Sequence, residues 1–258
     1  MAAEESREVS TIRLLWRHRE EQPRRRGPRP ARSLDDLVRA GIELADSDGL
    51  AGLTVRRLAD RLDLSRMSVY SYVRDLDQLT ELMIDTVQAE PFDGAPRFPY
   101  GSRSRPPADR ANGWRRPARL VADTNLDLLR RHPWLIEWPS DRPVLGPNST
   151  RKYDRELAVF DRLGLTDHQL DLCLWLLLGH VRTTAAQLQV VGSADSSGDW
   201  WQESAAAAAA RITAAEFPLA VRVGAAAGEV QQTAFDPLLN YRFGLDRLLD
   251  GIQLLITD

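Results

Sequence analysis

Residues 54–73 read TVRRLADRLDLSRMSVYSYV, two short amphipathic stretches separated by the three residues DLS. Val55, Leu58, Ala59 and Leu62 recur at helical spacing in the first stretch, and Val69 and Val73 lie one turn apart in the second. Helices this short, joined by so few residues, must cross at a steep angle, which is the spacing of a helix-turn-helix. Such a crossing makes three demands. A small residue is needed where the helices meet (Ala59), a residue that tolerates left-handed backbone four positions on (Asp63), and an apolar plug ten positions on (Val69). Glycine is more usual at the second of these positions, but aspartate enters the left-handed region more readily than most residues.

The side chains left over on the second helix are Arg66, Met67, Ser68, Tyr70, Ser71 and Tyr72. Arginine suits guanine edges, serine and tyrosine suit phosphates, and methionine suits thymine methyl groups. A tight corner inside a helical core has the same spacing and is common. A solvent-facing corner, however, more often carries lysine, glutamate and glutamine than two tyrosines and a methionine, so these residue types favour DNA.

The rest of the chain reads as helix without a sustained alternating strand pattern, which predicts an all-α protein. Residues 1–32 lack apolar periodicity beyond TIRLLW and read as a basic, flexible N-terminal arm. A helix-turn-helix domain spans 33–90. Ser33 opens its first helix and Gly49 stops it, Thr54 and Ser65 begin the second and third, and Asp75 begins a fourth. Residues 91–109 hold five prolines and two glycines, a density that no regular element survives, and form a linker. Residues 110–258 make a second helical domain, with periodic segments near 110–131, 149–163, 167–190, 199–215 and 236–256.

Net charge is −3, yet from Ile12 to Arg74 there are 14 arginines against 9 acidic residues. The densest run, WRHREEQPRRRGPRPAR at 16–32, can neutralise phosphates, although a solvated tail has the same composition. The longest apolar run, LCLWLLLG at 172–179, is far short of the roughly 20 residues of a spanning helix. With early acidic residues and Cys173 as the single cysteine, the expectation is a cytoplasmic protein without a membrane partner.

The stretch GLAGLTVRRLADRLDLSRMSVYSYVRDLDQLTELM at 49–83 resembles the DNA-binding domain of the tetracycline-repressor (TetR) family of bacterial regulators. Later, LLRRHPWLIEW, GPN and LLLGHV resemble that family's C-terminal domain more loosely. The resemblance implies a homodimer on a palindromic double-stranded operator, with a helical ligand-binding and dimerisation domain that takes an as yet unidentified small-molecule effector. It implies operator contacts from Thr54, Arg56, Arg66, Met67, Ser68, Tyr70 and Tyr72. Besides Asp63, a second position departs from the family, which usually has a phosphate-gripping lysine near the start of the fourth helix. Leu76 stands there, leaving Arg74 or the basic arm to supply the charge. Ligand contacts are expected among Val121, Asn125, Trp138, Trp175 and His180.

No metal-ligand spacing such as HxxxH or CxxC occurs, nor a GxSxG, Walker A or GxGxxG motif, so neither an enzyme nor a cofactor is expected. His180 reads more readily as a structural histidine than as a ligand contact, His132 as a helix stop before Pro133, and Cys173 as buried and inert. The segments 169–188 and 236–256 carry more apolar surface than a one-faced helix needs, which predicts a dimer interface. An alternative is that the C-terminal domain is a protein-interaction module without a small-molecule switch.

Overall fold

The computed structural model describes residues 6–19, 32–92, 113–139, 141–193, 203–205, 207–208, 211–231 and 235–257, and the regular elements among them are all helical. The expected helix-turn-helix is present. Helix α2 (Leu34–Asp48) begins with a reciprocal capping box in which Ser33 Oγ accepts from the Asp36 N–H (3.1 Å) and Asp36 accepts from the Ser33 N–H (2.9 Å). Thr54 caps α3 (Val55–Leu62) and Ser65 caps α4 (Arg66–Tyr70). Between them Asp63 takes the left-handed conformation (φ 55°, ψ 51°), and the Leu64 N–H reaches back to the Ala59 carbonyl. Helix α5 (Leu76–Val87) starts at Asp75, which accepts from the Gln78 N–H at 2.7 Å.

Apolar faces of these helices form a first core of Leu37, Leu58, Val69, Leu79, Leu82 and Met83, with Val73 beside them. The linker does not mark the edge of this core. Leu128, Trp134 and Leu135, from beyond residue 110, are buried in it. The two domains expected from sequence are therefore interlocked.

The N-terminal arm is also different from expectation. Its first part is a helix, α1 (Arg7–Leu15), capped by Ser6 and docked on α5. Leu15 is buried, and Ser10 and Thr11 turn their hydroxyls to the buried Gln78 amide (3.4 and 3.0 Å). Arg7 pairs with Asp75 (3.0 Å) and Glu81 (3.1 Å). Burial alone would raise the Asp75 carboxyl, but the Gln78 N–H and the Arg7 guanidinium outweigh it and hold the pKa below the usual carboxylate range. The helix escapes a periodicity reading because its inward face is largely hydroxyl rather than aliphatic. Residues 20–31 of the arm, 93–109 of the linker and 110–112 after it lie outside the described residues.

Beyond the linker, α6 (Arg115–Arg131) is followed by a 3₁₀ helix (Pro133–Ile136), α7 (Pro147–Leu157) and the long α8 (Asp167–Ser193). Helix α7 ends at Leu157, short of the expected 163, and the chain then turns through Arg162 (φ 61°) and Gly164 (φ 88°). Residues 211–215, expected to end a helix, are irregular. Helix α9 (Pro218–Gln231) follows where an Ala/Gly-rich sequence hides any apolar period, and α10 (Pro237–Thr257) closes the chain. Helices α6 and α10 pack on α8 around a second core of Trp114, Val121, Phe160, Leu174, Leu177 and Leu249. No helix among the described residues is long and apolar enough to cross a membrane.

Candidate nucleic-acid interface and effector domain

The α3–α4 corner sorts its polar side chains into two groups. Two arginines are engaged by their own chain, Arg57 donating to the Gly52 carbonyl (3.0 Å) and to Asp48, and the exposed Arg61 pairing with Glu43 across to α2. Their neighbours Thr54, Arg56, Arg66, Met67 and Tyr70 remain at the surface, with Met67 77 % and Tyr70 50 % exposed. Arg56 keeps only a 3.7 Å approach to Asp60, and Arg66 forms no ion pair among the described residues. Ser68 is half-buried with its hydroxyl 2.8 Å from that of Ser65. The Thr54 hydroxyl is used in capping α3, accepting from the Arg57 N–H. Arg74 is exposed, and Leu76 packs against the first core.

Tyr72 departs from the outward position expected of it. Its ring packs on the first core and its phenol donates to the Arg32 carbonyl (2.8 Å), while Arg32 Nε donates to the Leu62 carbonyl (3.0 Å). The end of the basic segment is thereby fastened to the helix-turn-helix itself. Its other end is fastened too, since Arg17 and His18 both meet Asp35 in the first turn of α2.

The five expected ligand contacts are not gathered around one cavity among the described residues. Val121 lies in the second core. Asn125 is buried, its amide donating to the Val121 carbonyl (2.9 Å) and to Glu156 (2.6 Å). Glu156 also holds Lys152, the single lysine of the chain, at 2.8 Å. Trp138 sits against the first core, with its indole donating to the Arg142 carbonyl (3.1 Å). Trp175 is 72 % exposed on α8. His180 stacks on Tyr241 (5.5 Å between centroids) and its Nε2 lies 2.9 Å from the Tyr241 carbonyl, the structural role that its sequence context favours. Burial, followed by the hydrogen bond to Asp123, pushes the Tyr241 phenol far above its ordinary pKa. Cys173 is buried, and that burial pushes its thiol up.

Sequence reasoning missed the joints between the two cores. His132 does end α6, through its N–H to the Leu128 carbonyl. Its ring, however, lies between Asp46 of α2 (2.7 Å) and Glu90 (3.0 Å). Trp134 Nε1 donates to the same Asp46 (2.7 Å), and Glu137 accepts from the Leu50 N–H (3.2 Å). A second joint lies between α5 and α7. Gly146 precedes the first turn of α7 and offers no capping side chain, and Asp85 of α5 takes its place by accepting from the N–H groups of Asn148 (3.1 Å) and Ser149 (2.8 Å). Any Cβ on Gly146 would collide with that carboxylate. The GPN motif is legible in sequence, but its partner 61 positions upstream is not.

Comparison with known proteins agrees with this architecture. Residues 106–256 match the model of the tetracyclin repressor-like C-terminal domain. The HTH-type transcriptional repressor DrrR1 of Streptomyces coeruleorubidus is 31 % identical over 256 residues, spanning 96 % of this chain and 86 % of that protein. The tetracycline repressor protein class E of Escherichia coli is 36 % identical over 58 residues, 22 % of this chain and 28 % of that one. Among solved structures, the TetR family protein ActR of Streptomyces coelicolor in complex with actinorhodin superposes with a TM-score of 0.70 at 23 % identity, covering 90 % of this chain and 100 % of ActR.

Proposed function

The chain belongs to the tetracycline-repressor family of transcriptional regulators, and on that premise we propose that it is a homodimeric repressor released from a palindromic operator by a small molecule bound in its C-terminal domain. In this reading α4 of each copy enters a major groove, with Arg66 and Met67 reading base edges and Thr54, Arg56, Ser68, Tyr70 and Arg74 contacting the backbone. Tyr72 contributes by holding Arg32 beside the recognition helix. The observation that carries the reading is the division of the arginines. Arg57 and Arg61 are engaged by Asp48 and Glu43 of the same chain, whereas Arg66, exposed beside Met67 and Tyr70, forms no ion pair among the described residues. Pairing is supported by the apolar surface that α8 and α10 leave uncovered at Leu172, Trp175, Leu176, Phe243 and Leu254.

A gel shift against the region upstream of the chain's own gene tests the reading, and no shift at moderate salt would sink it. Within that assay, Arg66→Ala should cost about 1–3 kcal/mol and relax selectivity among operator variants at one base pair per half-site. Unchanged selectivity would remove Arg66 from the base-reading set. By sequence, residues 20–31 carry Arg24, Arg25, Arg26 and Arg29, and we assign these arginines to DNA phosphates, supplying charge where Leu76 replaces a basic residue. Because α1 is packed on α5, truncating the N-terminus would disturb the fold. Replacing Arg24, Arg25 and Arg26 with alanine is the cleaner test. The slope of log affinity against log salt should become shallower by about 2–3 per half-site, and an unaltered slope would make the segment a passive connection.

A further inference from the structure

Arg182, on α8, donates to the carbonyls of Leu135 (3.2 Å), Ile136 and Trp138 (2.7 Å), and no carboxylate pairs with it among the described residues. Neutral carbonyls solvate a guanidinium without compensating its charge. Burial accordingly pushes its pKa down from the ordinary arginine value. Beside it Ile136, Thr183, Ala186, Gln187 and Val190 line an open, largely apolar depression of about 390 Å³, within the roughly 300–1,000 Å³ typical of small-molecule sites. An uncompensated cation on the wall of an apolar surface selects a definite chemistry: a flat apolar body bearing a carboxylate, sulfonate or ionised phenol.

The carbonyls that Arg182 holds belong to the 3₁₀ helix and the two residues after it, and Gln189 of α8 adds a bond to the Pro133 carbonyl (2.9 Å). On the opposite side this helix sends Trp134 and Leu135 into the first core, and Glu137 bonds the backbone at Leu50 just ahead of α3. We propose that the depression beside Arg182 is a binding subsite for a flat, apolar molecule carrying an anionic oxygen, and that its occupant draws the guanidinium off the 135–138 carbonyls. The second half rests on the effector-released repressor proposed above. Because the anion and the carbonyls compete for the same donors, the occupant favours the state in which the 3₁₀ helix is loosened, which is the differential affinity that a switch requires. Thr183 and Val190 continue the exposed stripe of Leu172, Trp175 and Leu176 on α8, so a paired copy borders the subsite.

The test uses the full-length protein and two probes of similar shape, 1-anilinonaphthalene-8-sulfonate and the uncharged N-phenyl-1-naphthylamine, followed by fluorescence titration. Arg182→Met should weaken the sulfonate about tenfold or more and the uncharged probe by less than about twofold, since only the first uses a charge-assisted hydrogen bond. Thr183→Glu, which sets a carboxylate on the wall of the depression, should produce the same contrast and serves if Arg182→Met does not fold. Absence of saturable sulfonate binding, or affinities unchanged in both variants, overturns the subsite. A sulfonate that binds with the expected contrast yet leaves the operator gel shift unmoved overturns the release and leaves the subsite standing. If the protein shifts no DNA at all, the repressor reading fails, while the probe titrations still judge the subsite.

Discussion

Trp134→Ala is expected to destabilise the protein by about 3–5 kcal/mol, the largest effect of any single substitution considered. The indole is fully buried and packs among residues from α2 and α5, more than 40 positions away in sequence. Removing it takes away the apolar transfer energy and leaves a cavity that neighbouring helices, already packed, cannot close. It also removes the N–H that Asp46 accepts, leaving that carboxylate with His132. Against a typical domain stability of roughly 5–15 kcal/mol, such a loss is a large fraction. Urea unfolding followed by circular dichroism checks it, with Trp134→Phe as the companion variant. Phenylalanine fills most of the space and loses the donor, so its cost should be the smaller, about 1–3 kcal/mol. A shift below about 0.5 kcal/mol for Trp134→Ala, the range of an ordinary surface change, would mean that the 3₁₀ helix is not part of the DNA-binding core.

Gly146→Ala is expected to cost about 2–4 kcal/mol, although it adds only one methyl group. The added Cβ would meet the Asp85 carboxylate well inside contact distance. Either Asp85 swings away and the N–H groups of Asn148 and Ser149 lose their acceptor, or α7 slides along α5 and its contacts with α8 shift. Asp85→Ala alone should cost about 1–2 kcal/mol, the usual loss for a helix cap. In the double variant the collision is absent, so the two costs should fall well short of their sum. Additivity within about 0.5 kcal/mol would show that Gly146 and Asp85 act independently and that no joint exists.

Much of the DNA-binding head is legible in sequence, and the individual residues show why. Ser33, Thr54, Ser65 and Asp75 cap helices whose acceptor and donor lie three residues apart, and Asp63 takes up its left-handed turn because the crossing on either side demands it. Helix α1 is not legible. Its inward Ser10 and Thr11 gain their meaning only from Gln78, a residue 67–68 positions later. Arg56 and Arg57 are indistinguishable as letters, yet one faces solvent and the other is consumed by Asp48 and Gly52. Of the aromatic residues expected in a pocket, Trp138 belongs to the first core and Trp175 to the surface, because hydrophobicity alone does not say which neighbour will cover a ring.

What the sequence determined by itself is whatever depends on residues within a turn or two of each other: the all-helical class, the helix-turn-helix at 54–73, the caps, and the type of surface that α4 carries. The tertiary structure alone decided how the two halves are joined. His132, Trp134 and Glu137 reach back to Asp46 and Leu50, Asp85 caps a helix that starts at Pro147, and Arg182 reaches the carbonyls of residues 135–138. The physical reason is one of range. Caps and helical periods arise from interactions between near neighbours in the chain, whereas a polar side chain used across a packed interface finds its partner only after the helices have been brought together.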